Sequence, residues 1–293
     1  MYSQIDANKR RSVVLMMVFI AILIGLGYVY SAAIGDTTYG GVWLAIVVSL
    51  SMTLVSYFQG DKIALWTSGA KPIAKEQNPY VYNLIENLCI TSGLPVPKIY
   101  IIDDPAINAF ATGRKPELAS VAVTRGAIEK LENEELEGVL AHELSHVSNY
   151  DIRFMTLVAV MVGAISILAN IFLRSRWMPR RGNDREGGGN VLMIIGVVLA
   201  ILSPLVAELI KLAISRRREY LADASGALLT RYPEGLARAL EKIAADNQPL
   251  RTANAATAHL FLSNPFGAKK MAAFFSTHPP LQERIQKLRT MGA

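Results

Sequence analysis

The sequence predicts a mainly α-helical, multi-spanning membrane protein that also contains a small β-sheet. Hydrophobic residues make up 52% of the 293 residues and charged residues only 18%. The apolar residues are concentrated in long blocks without a charge, and the segments between them carry helix and strand patterns. This composition excludes a disordered chain, and the single cysteine, Cys89, excludes an intrachain disulfide scaffold.

The first two apolar blocks, Ser12–Gly35 and Thr37–Gly60, predict a transmembrane hairpin over residues 1–60. Each block is long enough to cross a bilayer, which takes about 20 apolar residues. The turn of the hairpin has no basic residue. Basic residues flank both ends of the hairpin, namely Lys9, Arg10 and Arg11 before it and Lys62, Lys71 and Lys75 after it. The positive-inside rule therefore predicts that both ends lie in the cytoplasm.

The segment that follows the hairpin has the composition of a soluble domain. Asn78-Pro79 opens an amphipathic helix that ends near Gly93. Two short β-branched segments, Lys98–Asp103 and Ala119–Thr124, predict strands separated by a turn-rich stretch. A second helix is predicted over Glu132–Asn149, because its apolar residues fall on one stripe.

Two further apolar blocks, Phe154–Leu173 and Gly187–Ala207, predict a second hydrophobic hairpin. The linker between them is rich in arginine and carries a net charge of +3 (five arginines against Asp184 and Glu186), which conflicts with the positive-inside rule if both blocks span the membrane. Helices are predicted again after the fourth block, over Arg216–Tyr232, Pro233–Asp246 and Pro279–Arg289. The chain is thus divided into the hairpins 1–60 and 154–215 and the two parts, 61–153 and 216–293, of one cytoplasmic domain.

A metal-binding pattern lies within the second predicted helix, in the string AHELSH from Ala141 to His146. His142 and His146 are four residues apart, so both imidazoles project from one helix face and can bind one zinc ion. Glu143 lies beside them, where it can take a proton from a water that zinc activates. A helix with two surface histidines is the alternative, but the apolar flanks indicate that the site lies against a core.

A catalytic zinc needs a third protein ligand. The candidates are His259, His278 and a carboxylate downstream of the zinc helix. The string RREYLAD offers Glu219 and Asp223, four residues apart on one helical face. One carboxylate can ligate zinc while the other accepts a hydrogen bond from a ligating imidazole. Such a pair is usually a solvated helix face, but the second hydrophobic hairpin returns this one to the membrane side of the zinc helix.

Four strings, AHELSH, SRRREYLADASGA, PAINAFATG and THPPLQERI, resemble the HtpX-type membrane metallopeptidases, which are relatives of the CAAX prenyl proteases. The order of the hydrophobic blocks also fits, and the resemblance covers nearly the whole chain. It implies a gluzincin-like zinc peptidase domain with His142, His146 and Glu219 as ligands of one zinc ion and Glu143 as general base. Asp223 is then the carboxylate that orients an imidazole. The resemblance further implies an endopeptidase in the bacterial cytoplasmic membrane that degrades damaged or misfolded membrane proteins.

Four other features have two interpretations each. Asn108 could hold a substrate backbone, as the resemblance suggests, although the sequence alone favours a turn asparagine. The segment Ala119–Thr124 could be an edge strand to which an extended substrate adds, or an ordinary structural strand. His278 could donate to the oxyanion, although a solvated or capping histidine is the commoner case. His259 is predicted to be structural.

The predicted reaction is hydrolysis of peptide bonds in protein substrates, through zinc-activated water and without a covalent intermediate. The hairpin beside the zinc helix suggests that substrates are presented at the surface of the lipid bilayer. A membrane zinc-binding sensor or scaffold without catalysis is the alternative, and the intact Glu143 argues against it. A transporter would place charges within the first three blocks, which have none. Nucleic acid is not an expected partner, because the net charge of +6 reflects loop arginines and lysines.

Overall fold

A computed structural model describes most of the chain and is mainly helical. The described residues are 2–33, 35–175, 196, 215–246, 248–266 and 279–291. Their helices are, in chain order, α1 (Tyr2–Ala33), α2 (Gly40–Thr67), α3 (Pro79–Ser92), α4 (Arg125–Lys130), α5 (Asn133–Ser148), α6 (Asp151–Ser175), α7 (Arg216–Thr230), α8 (Pro233–Ala245) and α9 (Leu281–Met291). Their strands are β1 (Ala70–Pro72), β2 (Lys98–Ile102), β3 (Ala109–Thr112) and β4 (Ser120–Thr124).

Helices α1 and α2 form the predicted N-terminal hairpin. Within them, Ile5–Ala32 and Gly40–Thr67 are each 28 residues long and apolar enough to cross a membrane. They pack along each other, and the close contact of Gly27 with Gly41 shows why small residues are needed there, since a Cβ on Gly27 would lie 2.4 Å from the carbonyl oxygen of Gly41. The prediction of two apolar helices at this end of the chain is confirmed.

The third apolar block lies in α6, which packs against both α1 and α2. Helix α6 follows α5 after a bend of 86°, and the residue at this corner, Tyr150, has a left-handed backbone with φ of 59°. The fourth block, residues 187–207, lies outside the described residues except for Gly196. The second hydrophobic hairpin, 154–215, therefore stays a prediction.

The helix predicted after Asn78 is α3, and its ends follow from local chemistry. The Asn78 side chain accepts a hydrogen bond from the backbone N–H of Val81 at 3.1 Å, and Pro79 occupies the first helical position. Gly93 ends the helix in the left-handed conformation. Buried apolar residues on one face of α3 then pack against α5.

The sheet is mixed, with strand order β1-β2-β4-β3. Strands β2 and β4 are parallel, whereas β1 pairs with β2 and β3 pairs with β4 in antiparallel fashion. The two predicted strands are confirmed as β2 and β4, and β1 and β3 were not predicted. The turn-rich stretch between the predicted strands contains β3, which the period-2 pattern does not reveal because all four of its residues are buried. The segment Ala119–Thr124 is not an edge strand, since β4 is paired on both sides.

Helix α5 contributes many residues to the main hydrophobic core, which it shares with the sheet and with α3, α7 and α8. It packs against β3 and α3 on one side and against α7 and α8 on the other. Leu136, Leu140 and Leu144 are each at most 1% exposed. Burying a leucine completely contributes roughly 1.5–3 kcal/mol relative to leaving it in water, so this face anchors the helix firmly. The polar residues of α5 that carry the predicted chemistry are therefore held on a rigid element.

Candidate metal centre

Helix α5 presents the three residues of the AHELSH motif that carry the predicted chemistry. His142, Glu143 and His146 are 1%, 2% and 5% exposed. The helix begins with a capping box, in which Glu132 and Glu135 exchange hydrogen bonds with each other's backbone N–H. This start and the apolar stripe fix the helix, and with it the relative positions of the two imidazoles.

Glu219 reaches the motif from the first turn of α7. Helix α7 can approach α5 closely because it carries Gly226 at the contact. A Cβ at Gly226 would lie 3.0 Å from the backbone nitrogen of His142, closer than nearly all real Cβ contacts. The glycine in the string LADASGA therefore allows the Glu219 carboxylate to face the imidazoles.

Three potential ligand atoms converge at one point. The Nε2 atoms of His142 and His146 are 3.2 Å apart, and they lie 3.8 and 3.6 Å from the two carboxylate oxygens of Glu219. Zinc–nitrogen bonds of about 2.0–2.1 Å at tetrahedral angles separate neighbouring ligand atoms by about 3.3 Å. The three side chains are thus spaced to hold a metal ion, and among the described residues they are the one His/Cys/Asp/Glu group that meets this condition.

Each imidazole is oriented by a carboxylate on its other nitrogen. The Nδ1 atom of His142 lies 2.9 Å from Asp223, and the Nδ1 atom of His146 lies 3.1 Å from Asp151. A carboxylate at Nδ1 holds the proton there, so that Nε2 offers its lone pair to a metal. Asp223 was singled out in the sequence, whereas Asp151 was not. Its signal is the one acidic residue between the motif and the uncharged block that begins at Phe154.

Arg284 is a further residue of this site that no pattern in the sequence singles out. Its guanidinium is completely buried and donates two hydrogen bonds to Asp223, of 2.8 and 2.6 Å. Burial alone would raise the pKa of Asp223, but the Arg284 charge and the His142 hydrogen bond outweigh it and lower the pKa to about 2. Arg284 belongs to the string THPPLQERI, where an arginine three residues after a helix start resembles a solvated charge.

Glu143 is a residue of α5 whose side chain faces β3. Its carboxylate faces the backbone N–H of Ala111, on the side of β3 that points away from β4, and this N–H favours the charged form of the carboxylate. Burial raises the pKa of Glu143 to about 7, and the Glu219 carboxylate adds to this effect against the opposing charge of His146. A carboxyl with a pKa in this range can both accept and return a proton near neutral pH.

Asn108 is buried directly before β3 and is not the simple turn asparagine that the sequence favours. Its amide donates to the backbone carbonyl of Ser263 at 3.1 Å and accepts from the Ser263 N–H at 3.3 Å. The N–H of Leu262 donates to the carbonyl of Ala109 at 2.9 Å. The outer edge of β3 is therefore paired with Leu262 and Ser263.

Of the two remaining histidines, the structure describes His259 but not His278. His259 is buried, its Nε2 lies 3.0 Å from the backbone oxygen of Met155, and it is not a member of the metal-binding group, in agreement with the predicted structural role. His278 lies outside the described residues. Its assignment as an oxyanion donor stays a prediction.

Comparisons with known proteins show which family the chain belongs to. The model of peptidase family M48 matches residues 75–292. The chain is 44% identical over 293 residues to a protease HtpX homolog of Dictyoglomus turgidum, covering 99% of this chain and 95% of the relative. It is 43% identical over 292 residues to a homolog of Tropheryma whipplei, covering 100% and 99%.

Among solved structures, the fold is similar to that of Ste24p from S. mikatae. The TM-score is 0.52 at 21% identity, and the match covers 98% of this chain and 66% of the longer Ste24p chain. This likeness concerns the fold alone. The family model and the full-length relatives decide the assignment: the chain belongs to peptidase family M48 and is a metalloprotease of the HtpX type.

Proposed function

We propose that the protein is a zinc endopeptidase in which His142, His146 and Glu219 hold one zinc ion. The convergence of three ligand atoms, all within 4.8 Å of one another, is the observation that carries this proposal. The donor set supports zinc, because two imidazoles and a carboxylate form a common catalytic zinc site and leave a fourth position open. Both imidazoles also have a carboxylate at Nδ1, as zinc-bound histidines usually do.

Zinc, when bound, lowers the pKa of water and polarises the scissile carbonyl. Glu143 is the general base of the proposed reaction. It lies next to His142 in the chain, and its buried carboxylate takes a proton from the attacking water and returns it to the leaving amine. The Ala111 N–H faces this carboxylate and favours its charged form. Asp223, itself clamped by Arg284, keeps the His142 ring in the orientation that metal binding needs.

An extended substrate is proposed to add to the outer edge of β3, with Asn108 binding its backbone. This edge faces Glu143, and extended peptides commonly bind by adding a strand to the edge of a sheet. Leu262 and Ser263 now make the contacts that an added strand would make, so a substrate would replace them. His278 would supply an oxyanion donor in the same reaction.

The proposed location is the bacterial cytoplasmic membrane, with the zinc helix on the cytoplasmic side. Helices α1 and α2 supply two spans, and basic residues flank both ends of their hairpin. The basic end of α1 contacts the corner between α5 and α6, which brings the site to the membrane face. Residues 61–153 and 216–293 would form the peptidase domain, and 154–215 a second hydrophobic hairpin. Such a site suits membrane-protein substrates and a role in removing damaged proteins.

Metal analysis combined with a protease assay tests this function. Full-length protein purified in detergent should contain about one zinc per chain and hydrolyse casein. A chelator should abolish hydrolysis, and added Zn²⁺ should restore it. A protein that contains no metal, or whose proteolysis survives complete removal of the metal, would contradict the proposal.

A further inference from the structure

Asp151 connects the metal centre to the corner between α5 and α6. It is the first residue of α6, it is 1% exposed, and one of its oxygens lies 3.1 Å from Nδ1 of His146. The backbone turns at Tyr150, so Asp151 points back toward the helix that carries His146. The position of this carboxylate determines how the His146 ring is turned.

The other oxygen of Asp151 is held by the N-terminal hairpin. Asn8 of α1 is 1% exposed, and its Nδ2 donates to Oδ1 of Asp151 at 2.6 Å and to the backbone oxygen of Asn149 at 3.0 Å. The amide oxygen of Asn8 faces Arg11, whose guanidinium lies 3.5 Å away. Donors and acceptors are therefore matched on both sides of the amide, which sets its orientation.

We propose that Asn8 is a positioning residue of the metal centre, acting through Asp151 on the ring of His146. The proposal rests on the assignment of His146 as a zinc ligand. It makes the first apolar helix part of the active site as well as a membrane anchor. A helix that spans the bilayer would then complete the orientation of a ligand whose own helix lies in the cytoplasmic domain.

A competing partner explains why Asp151 needs Asn8. The guanidinium of Arg218 lies 3.8 Å from Oδ1 of Asp151, at the same oxygen that Asn8 binds. Arg218 precedes the proposed ligand Glu219 in the chain. Without the Asn8 donor, the carboxylate is free to turn toward Arg218, and its hydrogen bond to His146 lengthens. A buried carboxylate that loses one of its hydrogen-bond donors is also destabilised, so its position is less well fixed.

The test uses full-length protein in detergent and two variants of Asn8. Asn8→Asp keeps the size but replaces the donor by an acceptor that faces Asp151, and Asn8→Ala removes the donor without a new charge. Ser12→Ala is the matched control, since Ser12 is equally buried one turn later on α1 and its hydroxyl, within the described part of the chain, bonds the backbone oxygen of Asn8 alone. The readouts are the Zn²⁺ dissociation constant, from competition with a chromogenic chelator, and the visible absorption of the Co²⁺-substituted protein.

Partners of a ligating histidine change metal affinity by about 10–100-fold, and Asn8 acts one bond further out. We expect Asn8→Asp to raise the Zn²⁺ dissociation constant about tenfold and to shift the Co²⁺ absorption bands. Asn8→Ala should change both quantities in the same direction but by less. Ser12→Ala should leave the dissociation constant and the absorption bands unchanged. Wild-type affinity and spectrum in the folded fraction of Asn8→Ala would overturn the proposal, even if its melting temperature fell. Wild-type protein that binds no metal would instead overturn the proposed function, and this proposal with it.

Discussion

The Nε2 atoms of His142 and His146 lie 3.2 Å apart, although each imidazole has a carboxylate at its other nitrogen. With both Nδ1 protons held by carboxylates, the two Nε2 lone pairs face each other and the Glu219 carboxylate. Three electron-rich groups at this spacing repel one another in a buried site unless a positive charge lies among them. Burial lowers the pKa of His146, but Asp151 and Glu219 outweigh it and raise the pKa to about 9, so the surroundings of the two rings favour a positive charge, which a proton or a bound metal ion supplies.

Glu219 should be essential for metal binding. Glu219→Gln keeps the size of the side chain and removes the negative charge, so zinc content after dialysis should fall well below one per chain. His259→Ala is the control: it is also a buried change, but the residue bonds Met155 and is no ligand, so the metal should stay. Both are measured by elemental analysis of purified protein. Full zinc occupancy together with normal proteolysis in Glu219→Gln would exclude it as third ligand and return His278 to consideration.

Arg284 should contribute to metal affinity through Asp223. Arg284→Lys keeps a positive charge but cannot make the two parallel hydrogen bonds to the carboxylate, so Asp223 holds His142 less firmly. We expect a metal affinity about 10–100-fold weaker, as for other partners of a ligating histidine. Arg289→Lys, an exposed change on the same helix with partners Glu234 and Glu241, should leave the affinity as it is. Equal affinities in the two variants would remove Arg284 from the site.

Substitutions of Asn108 and Ser263 can distinguish whether Asn108 binds substrate or only holds Ser263. If Asn108 binds substrate, Asn108→Ala should lower kcat/KM for a peptide about tenfold, the effect of one hydrogen bond of about 1.4 kcal/mol, and leave zinc content unchanged. Ser263→Ala removes only the hydroxyl at 3.2 Å from the Asn108 amide, and should keep or raise kcat/KM because substrate then displaces the segment more easily. Equal losses in the two variants would indicate that Asn108 serves only to hold Ser263.

The orientation of the hairpin predicts which cysteines an impermeant thiol reagent can reach from outside intact cells. In a Cys89→Ser background, Gln77→Cys should stay unlabelled, because residue 77 is exposed on the domain placed in the cytoplasm. Thr37→Cys, exposed in the hairpin turn, should be labelled and serves as the positive control. Labelling of Gln77→Cys in intact cells would show that the proposed orientation is wrong.

Sequence patterns predicted those parts of the fold and site that depend on local spacing. The cap at Asn78, the stop at Gly93 and the i,i+4 histidines of α5 each depend on residues within one or two helical turns. Contacts between distant segments were missed, because single-sequence periodicity does not pair them. Arg284 lies 61 residues from Asp223, and β3 is defined by its pairing with β4 rather than by alternation.

The substitution Glu143→Gln separates metal binding from chemistry and thus distinguishes a protease from a zinc-binding sensor. The amide is nearly the size of the carboxylate and keeps an oxygen that can face the Ala111 N–H, so the fold should persist. The proposed ligands are unchanged, and we expect about one zinc per chain. Without the base, casein hydrolysis should fall by roughly 10²–10⁴-fold, or further if proton return to the leaving amine also depends on Glu143.

The matched control for Glu143→Gln is Glu137→Gln, a change of the same kind on the same helix, six residues earlier and outside the metal-binding group. This variant should keep its zinc and its proteolytic activity. The loss of activity in Glu143→Gln would then come from the metal centre and not from a general change in α5. Zinc content and casein hydrolysis are measured on the same preparations, so that a loss of activity through loss of metal is recognised. If Glu143→Gln cleaves casein at the wild-type rate, Glu143 does not activate the water, and the mechanism proposed for this site is wrong.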